Sequence, residues 1–281
     1  MIKKTTICYF SPTGGTEKVA KRLGNEITKS LQEADKYLNE KITVSEIDFT
    51  KPQTRKERFE FDDKDLVVVA SPVYAGRVPN KIAPDFKASI KGKKTKCVIL
   101  CCYGNRSYGG ALTELGLIMQ ENGFEIIAAA AVVAQHPFSD LVGAGRPSDS
   151  DFRDVSGFAE AVSRKVIKGG NINLPSDTEI PPYYTPLKED NTPAKFLKAK
   201  PVTEEDLCDN CRTCAKACPV GSIDIKDCTK TTGICIKCQA CIKVCPNGAK
   251  AFADEDFLSH VRMLEMNYTK PNKNSFILPN D

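Results

Sequence analysis

Thr5-Thr6-Ile7-Cys8-Tyr9-Phe10-Ser11-Pro12-Thr13-Gly14-Gly15-Thr16 is the stretch whose reading decides the fold of the first half of the chain. Residues 5–10 read as a short, mostly apolar strand. Beyond Thr16, Val19, Leu23, Ile27 and Leu31 recur at intervals of four, which puts one apolar stripe on a helix. The loop between them is built from small hydroxylated residues and glycines at a helix N-terminus. Backbone N–H groups exposed there suit a phosphate without any lysine. Neither GxxxxGK[ST] nor a full GxGxxG occurs. Taken alone, the loop has a structural turn with an N-cap threonine as its alternative reading.

Four further strand candidates follow at 42–49, 65–73, 95–103 and 125–134, the last three being nearly continuous apolar runs. Such runs belong to strands covered on both faces. Helix candidates lie at 80–90, 110–122 and 149–167, whereas 51–61 shows no clear helical pattern. Five strands alternating with helices predict an α/β fold with a doubly wound, five-stranded parallel sheet over residues 1–170. The pattern then stops. Gly169-Gly170 marks a helix end, and Pro175, Pro181, Pro182, Pro186 and Pro193 punctuate a linker at 171–200. A small domain is expected at 201–253, and 254–281 holds one helix candidate, 255–266, and a tail ending Pro279-Asn280-Asp281.

The chain has 281 residues, 41% apolar and 27% charged, so it is neither disordered nor fibrous. Its longest apolar run, 126–134, has nine residues, far short of a membrane span. Met1-Ile2-Lys3-Lys4 leads straight into the first strand with no signal-peptide pattern, and a cytoplasmic protein is expected. A net charge of +4 with interspersed signs gives little support to nucleic-acid binding.

The 13 cysteines carry more information. Cys8, Cys97, Cys101 and Cys102 fall in strand candidates, where cysteine behaves as a small buried hydrophobe. The other nine lie between Cys208 and Cys245, and eight of them form a repeat with an offset of 27. One unit is Cys208-x2-Cys211-x2-Cys214-x3-Cys218-Pro219, the other Cys235-x2-Cys238-x2-Cys241-x3-Cys245-Pro246. Clustered thiols in a reducing compartment point to metal ligation rather than disulfides. Paired zinc sites are the alternative, but zinc motifs rarely use three cysteines at this spacing with a fourth before proline. Cys228 lies outside the repeat and reads as a free thiol.

The two runs resemble the bacterial two-cluster ferredoxin pattern. That resemblance assigns one [4Fe–4S] cluster to Cys208, Cys211, Cys214 and Cys245. It assigns a second to Cys235, Cys238, Cys241 and Cys218. Val220, Ile223, Ile225, Ile234, Ile236, Val244 and Phe252 are expected to wall the clusters from water. Each cluster with its thiolates carries about −2, so two of them offset the formal +4.

Two more loops follow the third and fourth strands, Ser71-Pro72-Val73-Tyr74-Ala75-Gly76 and Tyr103-Gly104-Asn105-Arg106-Ser107-Tyr108-Gly109. Ligands of doubly wound sheets bind beyond the carboxyl ends of the strands, where all three loops lie. Together these loops resemble the FMN-binding loops of the flavodoxin family. The resemblance implies a phosphate loop of Ser11, Thr13, Gly14, Gly15 and Thr16. It implies flavin contacts from Ser71, Pro72, Val73, Tyr74, Ala75 and Gly76, with Tyr74 at the ring. A third set is Tyr103, Gly104, Asn105, Arg106, Tyr108 and Gly109, with Asn105 bonding the ring's polar edge. The chain has no tryptophan, hence no indole stacked on the flavin. His136, after the fifth strand, reads as a loop histidine held by backbone or as a proton donor beside the flavin.

Joined on one chain, these parts resemble the flavodoxin–ferredoxin fusion proteins of anaerobes, the EFR-type ferredoxins. The resemblance implies an electron-transfer protein that exchanges electrons between an external low-potential redox protein or reductase, two [4Fe–4S] clusters and FMN. The alternative is an FMN-dependent reductase of a small organic substrate, fed by its own ferredoxin domain. Neither reading calls for nucleic acid or a membrane, and no pattern in the sequence sets a catalytic residue or an oligomeric state.

Overall fold

Apolar runs such as Leu66-Val67-Val68-Val69-Ala70 need cover on both faces, and the fold supplies it. The structure is a computed structural model describing residues 2–34, 41–170, 172 and 179–279. Met1, Pro175, Asn280 and Asp281, named above, lie outside the described residues. The chain runs β1 (Lys4–Tyr9), α1 (Gly15–Ala34), β2 (Thr43–Asp48), β3 (Phe59–Phe61), β4 (Asp65–Pro72), α2 (Ala83–Ser89), β5 (Ile90–Gly92), β6 (Thr95–Tyr103), α3 (Ala111–Glu121), β7 (Phe124–Val133) and α4 (Asp149–Lys168). Then come β8 (Val202–Thr203), α5 (Thr213–Ala217), α6 (Ala240–Lys243), β9 (Lys250–Ala251), α7 (Glu255–Asn267) and β10 (Ser275–Ile277).

Five strands pair in parallel in the order β2-β1-β4-β6-β7. This is the flavodoxin-like doubly wound order, whose switch point lies between the first and third strands of that sheet, β1 and β4. One face packs on α1 and α4 through Val19, Leu23, Ile27, Val155, Phe158 and Val162. The other face packs on α2 and α3 through Phe86, Leu115 and Met119. With both faces covered, the carboxyl ends of the strands are where a fold of this order places its site.

Two features depart from the sequence reading. Residues 51–61 form no crossover helix; a single 3-10 turn, Thr54–Lys56, leads to β3, which pairs with β5 in a small separate ladder. Its Arg55 is buried and fully used. The guanidinium binds the carbonyls of Phe49 and Thr50, the Asp85 carboxylate at 2.7 Å and, from the cysteine-rich region, the carbonyl of Pro219 at 2.5 Å. The tail also contributes a strand. β10 pairs antiparallel with β7, Phe276 opposite Ala130, and the Phe276 ring lies 4.8 Å from that of Phe158. At three residues the segment is too short for period-2 patterning to reveal it.

Asn105 anchors this tail. At φ +61° it sits in the left-handed region, which asparagine tolerates better than most residues. Its Nδ2 donates to the carbonyls of Tyr268 and Lys270, and its Oδ1 accepts from the Asn272 N–H at 2.8 Å. Tyr103 Oη adds a bond to the Lys273 carbonyl, and Asn274 caps the Val133 N–H. Three amide hydrogen bonds at about 1 kcal/mol each, with about 1 kcal/mol of left-handed strain for alanine, predict that Asn105→Ala loses about 4 kcal/mol. Asn105→Gly should recover about 1 kcal/mol of that through its freer φ. Denaturant melts read the loss, and limited proteolysis should cut first after Asn267; an unaltered melt would show the tail to be held elsewhere.

Candidate functional site

At the carboxyl edge of the sheet the Ser11–Thr16 loop folds over the start of α1. Ser11 Oγ accepts from the Glu17 N–H at 2.9 Å, while the Ser11 N–H donates to Thr50 Oγ1. A cavity of about 230 Å³ opens above it. Ser11, Thr13, Gly15 and Thr16 line it from the first loop. Pro72, Val73, Tyr74, Ala75 and Gly76 line it from the second, and Tyr103, Gly104 and Arg106 from the third. The remaining sequence candidates stand outside this lining. Gly14 supplies the +84° φ of the turn, and Ser71 is fully buried with its hydroxyl on the Pro72 carbonyl. Asn105 spends its amide on the tail rather than facing the cavity. Tyr108 packs edge-on against Tyr103, and Gly109 lies against Gly76, where a Cβ would stand 2.6 Å from the Gly76 oxygen.

The second loop is braced by a bidentate pair: Arg77 binds both Glu114 oxygens at 2.7 Å, and Glu114 also accepts from the Val78 N–H. Tyr184 of the proline-rich segment donates its N–H to the Ala75 carbonyl. That segment then helps roof the cavity. Tyr184, Pro186 and Phe196 come from it, Ile236 and Lys237 from the second cysteine run, and His260 and Leu264 from α7. Ile236 was expected against a cluster, but no local pattern placed any of these residues at this cavity; the one clue was that His260 is one of only two histidines in the chain. The other, His136, lines the same cavity against Gly104, where a Cβ would collide with the imidazole. Burial pushes the His136 imidazole down to about 3, with His260 and Arg106 adding repulsion, and burial lowers His260 in the same direction.

The two cysteine runs share one backbone geometry. Asn210 and Lys237 have φ of 55° and 56°, Arg212 and Gln239 both 66°, and Gly221 and Gly248 61° and 64°. Each pair is separated by the 27-residue offset of the repeat. The fourth cysteine of each run accepts a backbone N–H at 3.2 Å, Cys218 from Ser222 and Cys245 from Ala249. Cys208, Cys211, Cys214 and Cys245 line one small cavity. Cys218, Cys235, Cys238 and Cys241 line another. The fourth cysteine of each run thus sits with the first three of the other.

Burial raises the Cys214 thiol to about 11 and that of Cys241 to about 12, so a cationic centre is what would hold them as thiolates. Among the described residues no three His, Cys, Asp or Glu side chains converge on a point that could hold a single ion. Val220, Ile223, Ile236 and Phe252 wall the second cavity, whereas Ile225, Ile234 and Val244 face solvent. Cys228 is buried beside the first four thiols, and Lys250, only 3% exposed, donates to Thr203 Oγ1 and the Cys228 carbonyl. Cys8, Cys97 and Cys101 are core residues of the sheet; Cys102 alone of the four reaches the edge cavity.

The family model described as a 4Fe-4S binding domain matches residues 200–223, which hold the first cysteine run. No curated protein matches the chain in sequence. Among solved structures, a flavodoxin from the domain Archaea is similar at 15% identity and a TM-score of 0.36, covering 58% of this chain and 99% of that one. Oxidised flavodoxin 2 from Bacillus cereus is similar at 18% identity and 0.38, with coverages of 58% and 99%. The rubredoxin oxygen:oxidoreductase of the anaerobe Desulfovibrio gigas is similar at 17% and 0.36, covering 59% of this chain. This chain spans about a third of that protein's length, 36%. The class is an α/β flavodoxin-like sheet followed by a small cysteine-rich region with a 4Fe-4S binding domain, read from the strand order and the cysteine run. Among the described residues no helix is long and apolar enough to cross a membrane.

A histidine whose folded value lies below its unfolded one withholds a proton that the unfolded chain takes up. Its stabilisation is complete above pH 6.5 and is lost as pH falls toward about 3. Between pH 7.5 and 5.5 the native chain should therefore lose about 1 kcal/mol more than His136→Phe. Melts at the two pH values measure this, and parallel losses would refute the buried neutral imidazole.

Proposed function

We propose that the chain is an electron-transferring iron–sulfur flavoprotein of the flavodoxin–ferredoxin fusion type, with FMN in the edge cavity and two [4Fe–4S] clusters in the cysteine cavities. The residues present fit these groups. The first loop offers α1 N–H groups to a phosphate, and Tyr74, Ala75 and Gly76 with Tyr103 and Gly104 flank the space for a ring. Two sets of four cysteines, each drawn from both runs, suit two cubanes. When bound, FMN takes two electrons and releases them singly, and each cluster carries one. The chain's own part is to hold these groups close and keep water from the gap between them.

One observation carries the reading. Ile236 lines both the edge cavity and the cavity of Cys218, Cys235, Cys238 and Cys241. This aliphatic side chain is common to both walls, and burial, with Cys238 and Cys235 adding to it, pushes the Tyr74 phenol up. Fusion on one chain keeps this juxtaposition permanent, so exchange between the two sites does not wait for an encounter. Cys211 is exposed, so the other cysteine cavity faces the side from which a low-potential redox protein or reductase would approach. Unbridged thiols in these numbers suit a reducing, cytoplasmic setting.

A second reading, an FMN-dependent reductase of a small organic molecule, is favoured by the roof over the edge cavity. His136, His260 and Arg106 line it, and among the described residues no carboxylate does.

Anaerobically purified protein should contain about eight iron and eight sulfide per FMN. Cys238→Ser and Cys211→Ser should each lower iron to about four while leaving FMN bound, and each should slow flavin reduction by a ferredoxin-type donor. Zinc in place of iron, no flavin, or unchanged reduction rates in both variants would sink the proposal.

A further inference from the structure

The edge cavity contains more chemistry than an FMN site of three loops uses. Its two histidines are fixed in opposite tautomers by backbone. The Phe138 N–H donates to His136 Nδ1 at 3.2 Å, so that nitrogen is bare and Nε2 carries the hydrogen. His260 Nδ1 lies 2.8 Å from the Leu187 carbonyl, which can only accept, so Nδ1 carries the hydrogen and Nε2 is bare. Among the described residues the ring hydrogen bonds of both histidines are made at Nδ1, and neither Nε2 has a protein partner. The cavity is thus offered one N–H donor and one lone pair, both held in place.

A cation stands beside them. Arg106 stacks on Tyr184, Cζ 3.7 Å from the ring centroid, and forms no ion pair among the described residues. It acts electrostatically on both histidines, so the three groups share one neighbourhood. Among the described residues no carboxylate lines the cavity, so this partly buried guanidinium is a binding group for an anion. The nearby walls are flat and apolar, from Phe138, Tyr184 and Phe196. Most of this end is built by the proline-rich segment and α7, outside the three loops that resemble an FMN site.

We infer that this end of the cavity is a binding site for a planar organic carboxylate that also carries a hydroxyl or N–H group. Arg106 and the Nε2–H of His136 hold the carboxylate, His260 Nε2 accepts from the hydroxyl, and the aromatic walls sandwich the body. The assignment rests on the reductase reading and gives it a substrate class.

The test uses the anaerobic holoprotein and three probes: 3-hydroxybenzoate, benzoate, which lacks the hydroxyl, and 3-hydroxybenzyl alcohol, which lacks the charge. Binding is followed by the perturbation of the flavin absorbance and by calorimetry. 3-Hydroxybenzoate should bind at least about tenfold more tightly than either of the others, the worth of a charged or buried hydrogen bond. Arg106→Met should abolish the preference over the alcohol, and His260→Phe, which keeps a ring against Phe196, should abolish the preference over benzoate. Iron content should stay at the native level in both variants, which shows that they fold, and FMN content should stay native in His260→Phe. Flavin-loaded protein that ignores all three probes overturns the site alone. Variants that lose FMN while keeping their probe preferences overturn it too, by returning Arg106 and His260 to the cofactor. Native protein purified without flavin overturns the reading beneath it.

Discussion

The buried amide of Asn105 is the constraint on which the closed form of this molecule depends. A side chain in the third edge loop binds three backbone groups between Tyr268 and Asn272, and so decides where the last residues of the chain go. From that anchor β10 reaches the edge of the sheet, and α7 is pulled across the carboxyl edge with His260 and Leu264 facing the cavity. In a minimal doubly wound domain this edge opens to solvent. Here a tail-to-loop contact converts it into an enclosed site.

A second contact fixes the cysteine-rich region from the opposite side. Arg55 is buried, and four acceptors meet its guanidinium, one of them the carbonyl of Pro219 immediately after Cys218. A buried cation must be satisfied this fully, so the position of Pro219 is tightly constrained. Together with Ile236 packed against the sheet's core, it sets the distance between the two proposed redox compartments. The separation is a property of side-chain packing rather than of linker length.

Much of this was legible in the chain because it is written in periodicity and spacing. Five strands, the helices beside them and the edge loops follow from runs such as 125–134 and from the stripe of Val19, Leu23, Ile27 and Leu31. The repeat of 27 is visible to the eye, and the folded backbone repeats its left-handed positions at the same interval. What stayed hidden is tertiary. The phenylalanine of a three-residue strand finds Phe158 only in the folded state, and Asn105 looks like a ligand residue until its tail partners, more than 160 positions away, are seen. Val244 and Ile234 are apolar by composition, yet the tight cysteine loops turn them outward. His260 gave no signal beyond its scarcity.

Lys250 shows what the cysteine-rich region asks of its cofactor. Its ammonium is held by a threonine hydroxyl and a carbonyl, both neutral, on the wall of a cavity lined by thiols. A lone buried cation is expensive, and the carboxylate that lines that cavity, Asp209, accepts from the Cys211 N–H rather than from the ammonium. A cluster with its thiolates is a net anion, so in the proposed holoprotein the missing counter-ion is the prosthetic group itself. Iron–sulfur assembly then becomes a folding event, and the region is as durable as its inorganic centre: oxygen that strips the iron would strand a charge in the core and release the polypeptide around it.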